Sequence, residues 1–556
     1  MACLLILCLI FSLLPCALSI NTIILGEDRN ITEWFWQTSV VAGSQLYIAG
    51  GEYYNYTDGS GPFVYDVPQD IIVDLSQSWT NATIPSTLVS RGAIPSVRRP
   101  MLWYDEGTNK IYRYGGWPYA EDGTYSQSLW SLDMSDAASG GWSSTTSTGT
   151  TGLDNDSRAP GGSAYTFANS TFYALGGSTP DYQTALQGFL KYDDTTGAWT
   201  NDSSVGATST GYWAMAAAAA APGFGTAGYL VFVGGTSSES TPGVTTSTLL
   251  INLSLITLYD LDSGTWYQQS ATGDIPSSRS AFCSVFASTA DTFEIFIYGG
   301  SIDSTTDASN PNDTGFLNVY VLSLPAFRWF KSTESTSTRR ANHHCTVIGN
   351  RQMISVGSTN PSGGGLGLTA DPWNDGIGVF DMTALRWSDS YDATAAEYES
   401  PDVVKQYYSS NYTTPKWSNP TLAAVFGAQT SLSTEPTASA GGPSTSSRPS
   451  SSASLSVSGP NVGAIAGGVV GGVVLVAAIA IGAFCFRRRH RGKQRLANDD
   501  QNWVQGQTHP VDTKDQTLIS LGPVQAPSEI GSYQPRAELP THAPMRGSDK
   551  VQELAA

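Results

Sequence analysis

Histidine and cysteine, the side chains that most often carry out catalysis or bind metals, are scarce in the first part of the sequence. Between Ile20 and Asn461 the histidines are the adjacent pair His343 and His344, and the cysteines are Cys283 and Cys345. Neighbouring side chains of a strand point to opposite faces, so the two imidazoles cannot readily ligate one metal ion. The sequence also lacks a GxSxG nucleophile elbow and an HExxH zinc motif. We therefore expect no catalytic residue, no metal site and no cofactor.

Acidic pairs are the remaining candidates for catalysis. Asp193 and Asp194 stand in "YDDTTGAW", where the glycine indicates a turn. Aspartate in a turn normally accepts hydrogen bonds from its own backbone. Two such carboxyl groups would serve a glycoside hydrolase only if they converged across a cleft. The sequence does not show such convergence, so the structural role is favoured.

A pair of glycines after an alternating apolar run recurs along the chain. In "KIYRYGGWPY" the pair is Gly115 and Gly116, and a degenerate copy, "QMISVGSTN", has Ser358 in the second place. The first glycines stand 58 to 65 residues apart, at Gly50, Gly115, Gly176, Gly234, Gly299 and Gly357. Glycine ends strands and permits a positive φ in the turn that follows. This regular spacing predicts six copies of one structural unit.

Each unit also contains four candidate strands and a late tryptophan. The fifth unit, for example, reads "SAFCSVF", "FEIFIYGG", "LNVYVLS" and "RWFKST". A single four-stranded sheet cannot bury both of its faces, so the copies must stack around an axis and cover one another. We expect the tryptophans to fill the gaps between neighbouring sheets; they are Trp79, Trp142, Trp199, Trp266, Trp329 and Trp387.

The glycine pair after an apolar strand and the tryptophan of the fourth strand resemble kelch repeats, over about Trp34 to Asp392. The resemblance implies an all-β, six-bladed kelch-type β-propeller that acts as an interaction module. Asn21 to Arg29 would supply a strand that closes the ring in the last blade. The alternative is seven blades, the seventh formed by "VVKQYYSSNYTTPKW". Some fungal extracellular oxidases carry copper on such a propeller, but they use two His, two Tyr and a Cys, which His343 and His344 cannot readily supply.

A ligand-binding ring is predicted at one mouth of the central channel. Arginines begin the innermost strands of four units, and aromatic residues take these places in units one and four. The predicted ligand contacts are Arg99, Arg158, Arg279, Arg340, Trp34 and Trp213. Such a ring would suit an anionic or sugar ligand through charge-assisted hydrogen bonds and stacking. The alternative is that the arginines bond backbone carbonyls and hold the loops between blades together.

The flanking sequence predicts a type I, single-pass protein of the plasma membrane. Residues 1–19 read as a signal peptide, 20–426 as the propeller with its flanking segments, and 427–461 as a Ser/Thr/Pro-rich stalk. Residues 462–486 form an uncharged run long enough to span a bilayer, and the basic "RRRHRGKQR" that follows places the 487–556 tail in the cytoplasm, where its polar composition predicts disorder. This arrangement resembles surface proteins of filamentous fungi.

Export implies two kinds of modification. Asn-x-Ser/Thr acceptors for glycosylation stand at Asn30, Asn55, Asn81, Asn155, Asn169, Asn201, Asn252, Asn312 and Asn411. Cys283 and Cys345 occupy similar places in the first strands of consecutive units, and an exported domain permits a disulfide between them. Two buried free thiols are the alternative, since a disulfide needs Cα atoms within about 7 Å.

The sequence therefore predicts a glycosylated cell-surface interaction protein, a sensor or adhesion protein that binds a protein or a cell-wall polysaccharide. The net charge of −19 makes nucleic acid an unsuitable partner. The four-residue spacing of Gly467 and Gly471 in the predicted span favours a homodimer. The alternative function is an extracellular propeller enzyme, an oxidase or a glycoside hydrolase.

Overall fold

The computed structural model describes residues 31–430, apart from 58–59, 120–127, 140, 146–149, 152–159, 180–184, 205, 209–211, 239–247, 302–313, 362–370 and 374–375. The predicted signal peptide, transmembrane segment, glycines 467 and 471 and tail lie outside these residues, as do residues 21–29 and all of the predicted stalk beyond residue 430. Within the described residues, no helix combines the length and hydropathy needed to cross a membrane.

Six antiparallel sheets of at least four strands each, called blades 1 to 6, follow one another along the chain. Their strands, from the innermost outward, are Ile31–Ala42, Gln45–Thr57, Asp70–Asp74 and Ser86–Val89 in blade 1; Met101–Asp105, Lys110–Tyr114, Leu129–Asp133 and Ser143–Thr145 in blade 2; and Ala164–Ala168, Thr171–Leu175, Phe189–Asp193 and Ala198–Asp202 in blade 3. They are Ala217–Ala221, Tyr229–Val233, Leu255–Asp260 and Trp266–Ser270 in blade 4; Cys283–Ser288, Phe293–Tyr298, Asn318–Leu324 and Arg328–Ser335 in blade 5; and His344–Ile348, Gln352–Val356, Ile377–Asp381 and Arg386–Ser388 in blade 6.

Short elements extend or connect these sheets. Ser60–Asp66 pairs with the second strand of blade 1, while Thr150–Thr151 and Thr272–Gly273 run parallel to the outer strands of blades 3 and 5. Isolated pairs join Val97–Arg98 to Trp117–Pro118 and Thr236–Ser238 to Thr248–Leu250. Turns of 3₁₀ helix lie at Met134–Ser139 and Thr314–Phe316.

The second strands are mostly apolar because other blades cover both faces of their sheets. Tyr229–Val233, Phe293–Tyr298 and Gln352–Val356 are buried along their whole lengths. Strict polar alternation would leave polar side chains facing a neighbouring sheet without water. Continuous runs such as "YLVFV" therefore form strands in this architecture.

The six blades close into a ring. The innermost strand of each blade contacts those of its two neighbours, including the strands of blades 6 and 1. The amide of Ser358 donates to Trp34, and Ser390–Tyr391 pairs with Trp79–Thr80 across the same junction. The prediction of a six-bladed, all-β propeller is thus confirmed, and these contacts join the first and last blades.

One apolar cluster fills each junction between neighbouring blades, and each cluster holds one of the predicted tryptophans. Trp199, for example, lies between blades 2 and 3, against Tyr114 at 4.5 Å and Tyr192 at 4.8 Å between ring centroids. Trp79 lies between blades 6 and 1 beside Tyr391. The prediction that the tryptophans fill the gaps between sheets is confirmed.

The chain after blade 6 is helical, so the segment considered for a seventh blade forms no sheet. It contains the α-helix Asp402–Gln406, a π-helical turn at Tyr407–Asn411 and the α-helix Pro420–Thr430. Val404 and Tyr407 are buried against blade 5, and Phe426 is buried in the cluster between blades 4 and 5. The chain therefore passes back across blade 5 to blade 4, as far as Thr430.

Candidate functional site

A ring of left-handed residues forms the mouth of the central channel. One residue associated with each innermost strand has a φ between 48° and 70°: it stands two positions before the strand in blades 2 to 6 and within the longer strand of blade 1. These residues are Trp36, Arg99, Gly162, Met215, Ala281 and Asn342. Backbone hydrogen bonds link successive members, including Asn342 N–H to Ala281 at 2.9 Å, Trp36 N–H to Asn342 at 2.9 Å and Arg99 N–H to Trp36 at 2.7 Å. We call this ring the collar. Its side chains have no chemistry in common, so no sequence pattern marked it.

Arg279 and Arg340 are buried and serve the fold, which corrects their prediction as ligand contacts. Nη1 of Arg279 donates to the carbonyls of Gly299 at 3.0 Å and Gly315 at 3.4 Å. Arg340 forms a bidentate pair with Asp371, donates to Gly357 at 3.3 Å and stacks on Trp373 at 3.7 Å. Both arginines thus bond the carbonyl of the first glycine in their own blade, as the alternative interpretation required.

Trp213 and Trp34 are also internal. The indole of Trp213 is 2% exposed and donates to the first glycine of its blade, Gly234, at 2.9 Å. In blade 3 the hydroxyl of Ser163 makes the equivalent bond to Gly176. Trp34 is 4% exposed in the junction between blades 6 and 1. Neither tryptophan is exposed to a ligand, since Trp213 satisfies a backbone carbonyl and Trp34 fills the apolar junction between two blades.

Of the predicted ligand contacts, Arg99 is the one that the described structure places on the channel, while Arg158 lies outside the described residues. Nη2 of Arg99 donates to Oδ1 of Asn342 at 2.7 Å, which ties blade 2 to blade 6 across the collar. Its guanidinium also lies 5.9 Å from the ring of Trp117.

A half-buried group of cationic and aromatic side chains lies beside the collar on blades 1 and 2. Arg98 stacks on Trp36 at 5.1 Å and on Tyr119 at 5.9 Å, and its Nε pairs with the buried carboxylate of Glu52. Burial raises the pKa of Glu52 to about 7, while Arg98 acts in the opposite direction. Tyr54 lies nearby on the second strand of blade 1. We call Trp36, Tyr54, Arg98 and Tyr119 the mouth patch.

The innermost strands enclose an axial cavity of about 520 Å³. On its blade 6 side, Nδ1 of His344 lies 3.0 Å from Oγ of Ser39 in blade 1. Burial, with a smaller contribution from Arg99, lowers the pKa of His344 to about 4. The imidazole is therefore neutral at physiological pH and acts as a hydrogen-bonding group of the junction.

Cys283 and Cys345 form a disulfide between the innermost strands of blades 5 and 6, with Cα atoms 5.3 Å apart. His343 lies on the same face as Cys345, while His344 faces blade 1, so the two histidines diverge as their adjacency predicted. Ligand atoms of Cys283, His343 and Cys345 lie within 4.8 Å of one another, and all three residues are buried. The adjacency of His343 and His344 separates the two imidazoles, whereas the His-x-Cys spacing in the sequence places His343 and Cys345 on one face.

The acidic pair of blade 3 is used by turns. Oδ1 of Asp193 accepts from the amides of Thr195 at 2.9 Å and Thr196 at 3.1 Å. Asp194 meets Asp105 of blade 2, and burial together with that carboxyl group raises the pKa of Asp194 to about 6. The side chains of Asp194 and Asp105 share a hydrogen bond between two turns, so these two carboxyl groups leave no room between them for a sugar.

The described glycosylation acceptors differ in exposure. Asn169, Asn252 and Asn411 are exposed, and Asn201 is half-buried. Asn81 is 7% exposed and its Nδ2 donates to the carbonyl of Ile377 at 2.8 Å. A glycan on Asn81 would require that side chain to leave its pocket, so burial disfavours this predicted site. Asn30, Asn155, Asn312 and the side chain of Asn55 lie outside what the structure describes.

Comparison with known proteins gives one similarity that bears on the fold. No protein-family model matches the chain. The chain is similar to a kelch repeat-containing protein of Arthroderma benhamiae, with 26% identity over 298 residues. The match covers 48% of this chain and 41% of that protein, so this chain spans less than half of that relative. The repeat spacing, the six closed blades and this similarity together support a kelch-type β-propeller.

Proposed function

We propose that this chain is a cell-surface interaction protein whose propeller binds another protein and does not act as an enzyme. The observation that carries the proposal is that recurring residues build the ring, while other residues form the surface at the channel mouth. The recurring glycines and tryptophans are used inside the ring, and so are two of the four recurring arginines, Arg279 and Arg340. The cationic and aromatic side chains of the mouth patch are not repeated from blade to blade, as expected when a repeated scaffold presents a specific surface.

The mouth patch has the composition of a protein-binding surface. Trp, Tyr and Arg are the residues that most often carry binding energy at interfaces. Arg98 holds Trp36 and Tyr119 in fixed positions, and Glu52 fixes Arg98 from below. A rigid patch loses little conformational entropy on binding, which favours affinity.

The location proposed for this protein is the plasma membrane, with the propeller outside the cell. The proposal rests on the signal-like residues 1–19, the apolar run 462–486 and the basic residues that follow it. Exposed acceptors at Asn169, Asn252 and Asn411 suit glycosylation during export. The Ser/Thr/Pro-rich stalk would hold the propeller away from the bilayer.

Capture of partners by the full chain tests the proposed function. The full chain and a Tyr54→Ala/Tyr119→Ala variant would be expressed at the surface of cells of the source organism, crosslinked and purified. We expect the variant to lose specific protein partners while its melting temperature stays within about 2 °C of the parent, since both rings are half-buried at the rim. Ile275→Ser, an exposed apolar side chain between blades 4 and 5, serves as the matched control.

Three outcomes would count against the proposal. Retention of every partner by the double variant would remove the mouth patch from the interface. Recovery of cell-wall polysaccharide in place of protein would change the partner class. Surface labelling that fails to reach the propeller in intact cells would contradict the proposed location.

A further inference from the structure

A buried histidine without a well-formed hydrogen bond lies against the disulfide between blades 5 and 6. His343 is 6% exposed, and neither Nδ1 nor Nε2 makes a hydrogen bond of normal geometry, although the backbone of Ala341 acts on the imidazole as a weak hydrogen-bonding group. Its ring packs edge-on against Tyr298 at 5.4 Å. A buried imidazole that leaves both nitrogens unsatisfied destabilises the fold, because it gives up its hydrogen bonds to water. Such a cost at a cluster of possible ligands points to a state in which one nitrogen has a partner.

A metal ion bound by the two sulfur atoms would be a partner for one nitrogen of this imidazole. The ligand atoms of Cys283, His343 and Cys345 lie within 4.8 Å of one another. Tetrahedral zinc with Zn–S bonds of about 2.3 Å holds two thiolates about 3.8 Å apart. The cysteines need only small side-chain rotations to reach that spacing once their bond is open, since their Cα atoms are 5.3 Å apart.

We propose that the reduced form of this site, the thiolates of Cys283 and Cys345 with the imidazole of His343, binds one soft cation such as Zn²⁺. Two thiolates balance the charge of Zn²⁺, and the imidazole is a neutral ligand. The site would thus be uncharged, as burial between two blades requires. Cys283, His343 and Cys345 all line the axial cavity, which gives the ion an access path and leaves a fourth position for water.

The chemical steps balance without a further oxidant. A dithiol reductant transfers two electrons and two protons to the disulfide, so the S–S bond breaks, two cysteine thiols form and the reductant becomes a cyclic disulfide. Binding of Zn²⁺ then releases the two thiol protons to solvent as two Zn–S bonds form. The disulfide and the zinc site are therefore alternative states, and the redox poise of the compartment decides between them.

Metal binding by the full chain before and after reduction tests this proposal. The chain, carrying Cys485→Ser to remove the thiol at the end of the predicted span, would be reduced with a phosphine that does not bind metal and titrated with Zn²⁺ or Co²⁺. We expect no high-affinity metal in the oxidised chain and one ion per reduced chain. Co²⁺ should give the thiolate charge-transfer absorption of a tetrahedral sulfur site.

Two histidine variants distinguish this site from adventitious binding. His343→Ala should weaken Zn²⁺ binding by about 100-fold or more, because it removes a ligand of the ion. His344→Ala, the neighbour that faces blade 1, should bind as the parent does. Zn²⁺ should also raise the melting temperature of the reduced parent and of His344→Ala, and leave reduced His343→Ala unchanged.

Several results would overturn the proposal. They are equal effects of the two histidine variants, absence of metal in the reduced chain at micromolar Zn²⁺, and a reduced chain that is unfolded and does not refold when Zn²⁺ is added. Each would show that the unsatisfied imidazole of His343 does not mark a metal site.

Discussion

At the scale of single residues, the two glycines that end each second strand have different neighbours. A Cβ on Gly50 would lie 2.6 Å from the carbonyl oxygen of Val97, at the entrance to the next blade. A Cβ on Gly51 would lie 2.7 Å from the carbonyl oxygen of Phe35, in the innermost strand of its own blade. Both have a positive φ, 69° and 87°. The pair therefore lets three segments of backbone meet where two blades converge on the axis.

Gly50→Ala should destabilise the fold far more than Gly43→Ala. Gly43 also has a positive φ, 58°, but a Cβ added to it would have no other atom within 4 Å. We expect Gly43→Ala to cost about 1–2 kcal/mol, the left-handed penalty alone, and Gly50→Ala about 3 kcal/mol or more. Denaturant unfolding of both variants measures the difference. Equal losses would show that φ, and not the approach of blade 2, requires glycine at position 50.

The sequence predicts these glycines because their residue type recurs, whereas the residue types of the collar do not recur and form no sequence pattern. Trp36, Met215 and Asn342 share a backbone conformation that only their neighbours in space impose. The arginines recur in the sequence, but their type alone does not show whether Arg279 and Arg340 bond a ligand or a backbone carbonyl. The positions of Gly299 and Gly357 in the structure decide between the two. Periodicity predicts the backbone position of a side chain in the repeat, but it does not predict which atoms the end of that side chain contacts.

At the scale of elements, the helical segment after blade 6 is fastened to blade 5 through a buried carboxyl group. Glu294 is fully buried on the second strand of blade 5. The hydroxyl groups of Ser323, Tyr398 and Ser400 lie 3.0 to 3.3 Å from its carboxyl oxygens. Burial raises the pKa of Glu294 to about 7, although these hydroxyl groups act to lower it. The protonated form is therefore the one that this junction stabilises.

The stability of the propeller should depend on pH through Glu294. Its pKa is about 7 in the fold, against 4.5 for a glutamate exposed to water, so the stabilising contribution is complete below about pH 4.5 and is lost as the pH rises through 7. We expect Glu294→Gln to remove up to about 3 kcal/mol of this dependence. Unfolding of parent and variant between pH 4.5 and 8 gives the difference.

The difference between parent and variant is required because other carboxyl groups act in the same direction. Burial also raises the pKa of Glu52 to about 7 and of Asp194 to about 6, so the parent alone reports all three. Glu397→Gln, an exposed position on the same segment, controls for the loss of a charge. Parallel curves for parent and Glu294→Gln would show that Glu294 does not titrate in this range.

The helices of this segment could not be distinguished from a blade by their apolar residues alone. "VVKQYY" is short, rich in β-branched and aromatic residues, and compatible with a strand. The closed ring favours the helical conformation of this segment, because Val404 and Tyr407 pack on an apolar surface beside Phe330 of blade 5. Strands inside the ring were predictable, since each lies between signals that repeat six times.

At the scale of the whole molecule, blades 5 and 6 are held by a covalent bond as well as by packing. The disulfide between Cys283 and Cys345 closes a loop of 62 residues. In the chain-entropy account, a loop of that length contributes about 4 kcal/mol by restricting the unfolded chain. The other junctions depend on their apolar clusters and on backbone hydrogen bonds such as that from Trp36 to Asn342.

Replacement of both cysteines by alanine should therefore weaken the propeller without opening it. We expect Cys283→Ala/Cys345→Ala to lose about 3–4 kcal/mol of unfolding free energy and to keep a single cooperative transition. Denaturant unfolding followed by tryptophan fluorescence reports both quantities, and Cys485→Ala is the control outside the ring. A second transition at low denaturant would mean that the apolar cluster between blades 5 and 6 cannot hold that junction alone.

The last helix joins the chain to the ring at blade 4, not at blade 6 where the repeats end. Phe426 packs on Phe224 at 4.5 Å, on Phe327 at 5.1 Å and on Tyr229 at 5.3 Å between ring centroids. These partners belong to blades 4 and 5, so the helix covers the junction between them. A force applied to the chain beyond Thr430 would thus act first on the junction between blades 4 and 5, and not on the junction between blades 6 and 1 that closes the ring.

Phe426→Ala should release this helix and leave the six blades folded. The lost side chain is fully buried, so we expect a cost of about 3–5 kcal/mol, while Ala424→Ser on the exposed face of the same helix should be nearly neutral. Hydrogen exchange should show faster exchange in Pro420–Thr430 and unchanged protection in the second strands of blades 1 to 3. If protection were lost evenly around the ring, the helix would be part of the cooperative unit of the propeller, because its release would then unfold distant blades together with blade 4.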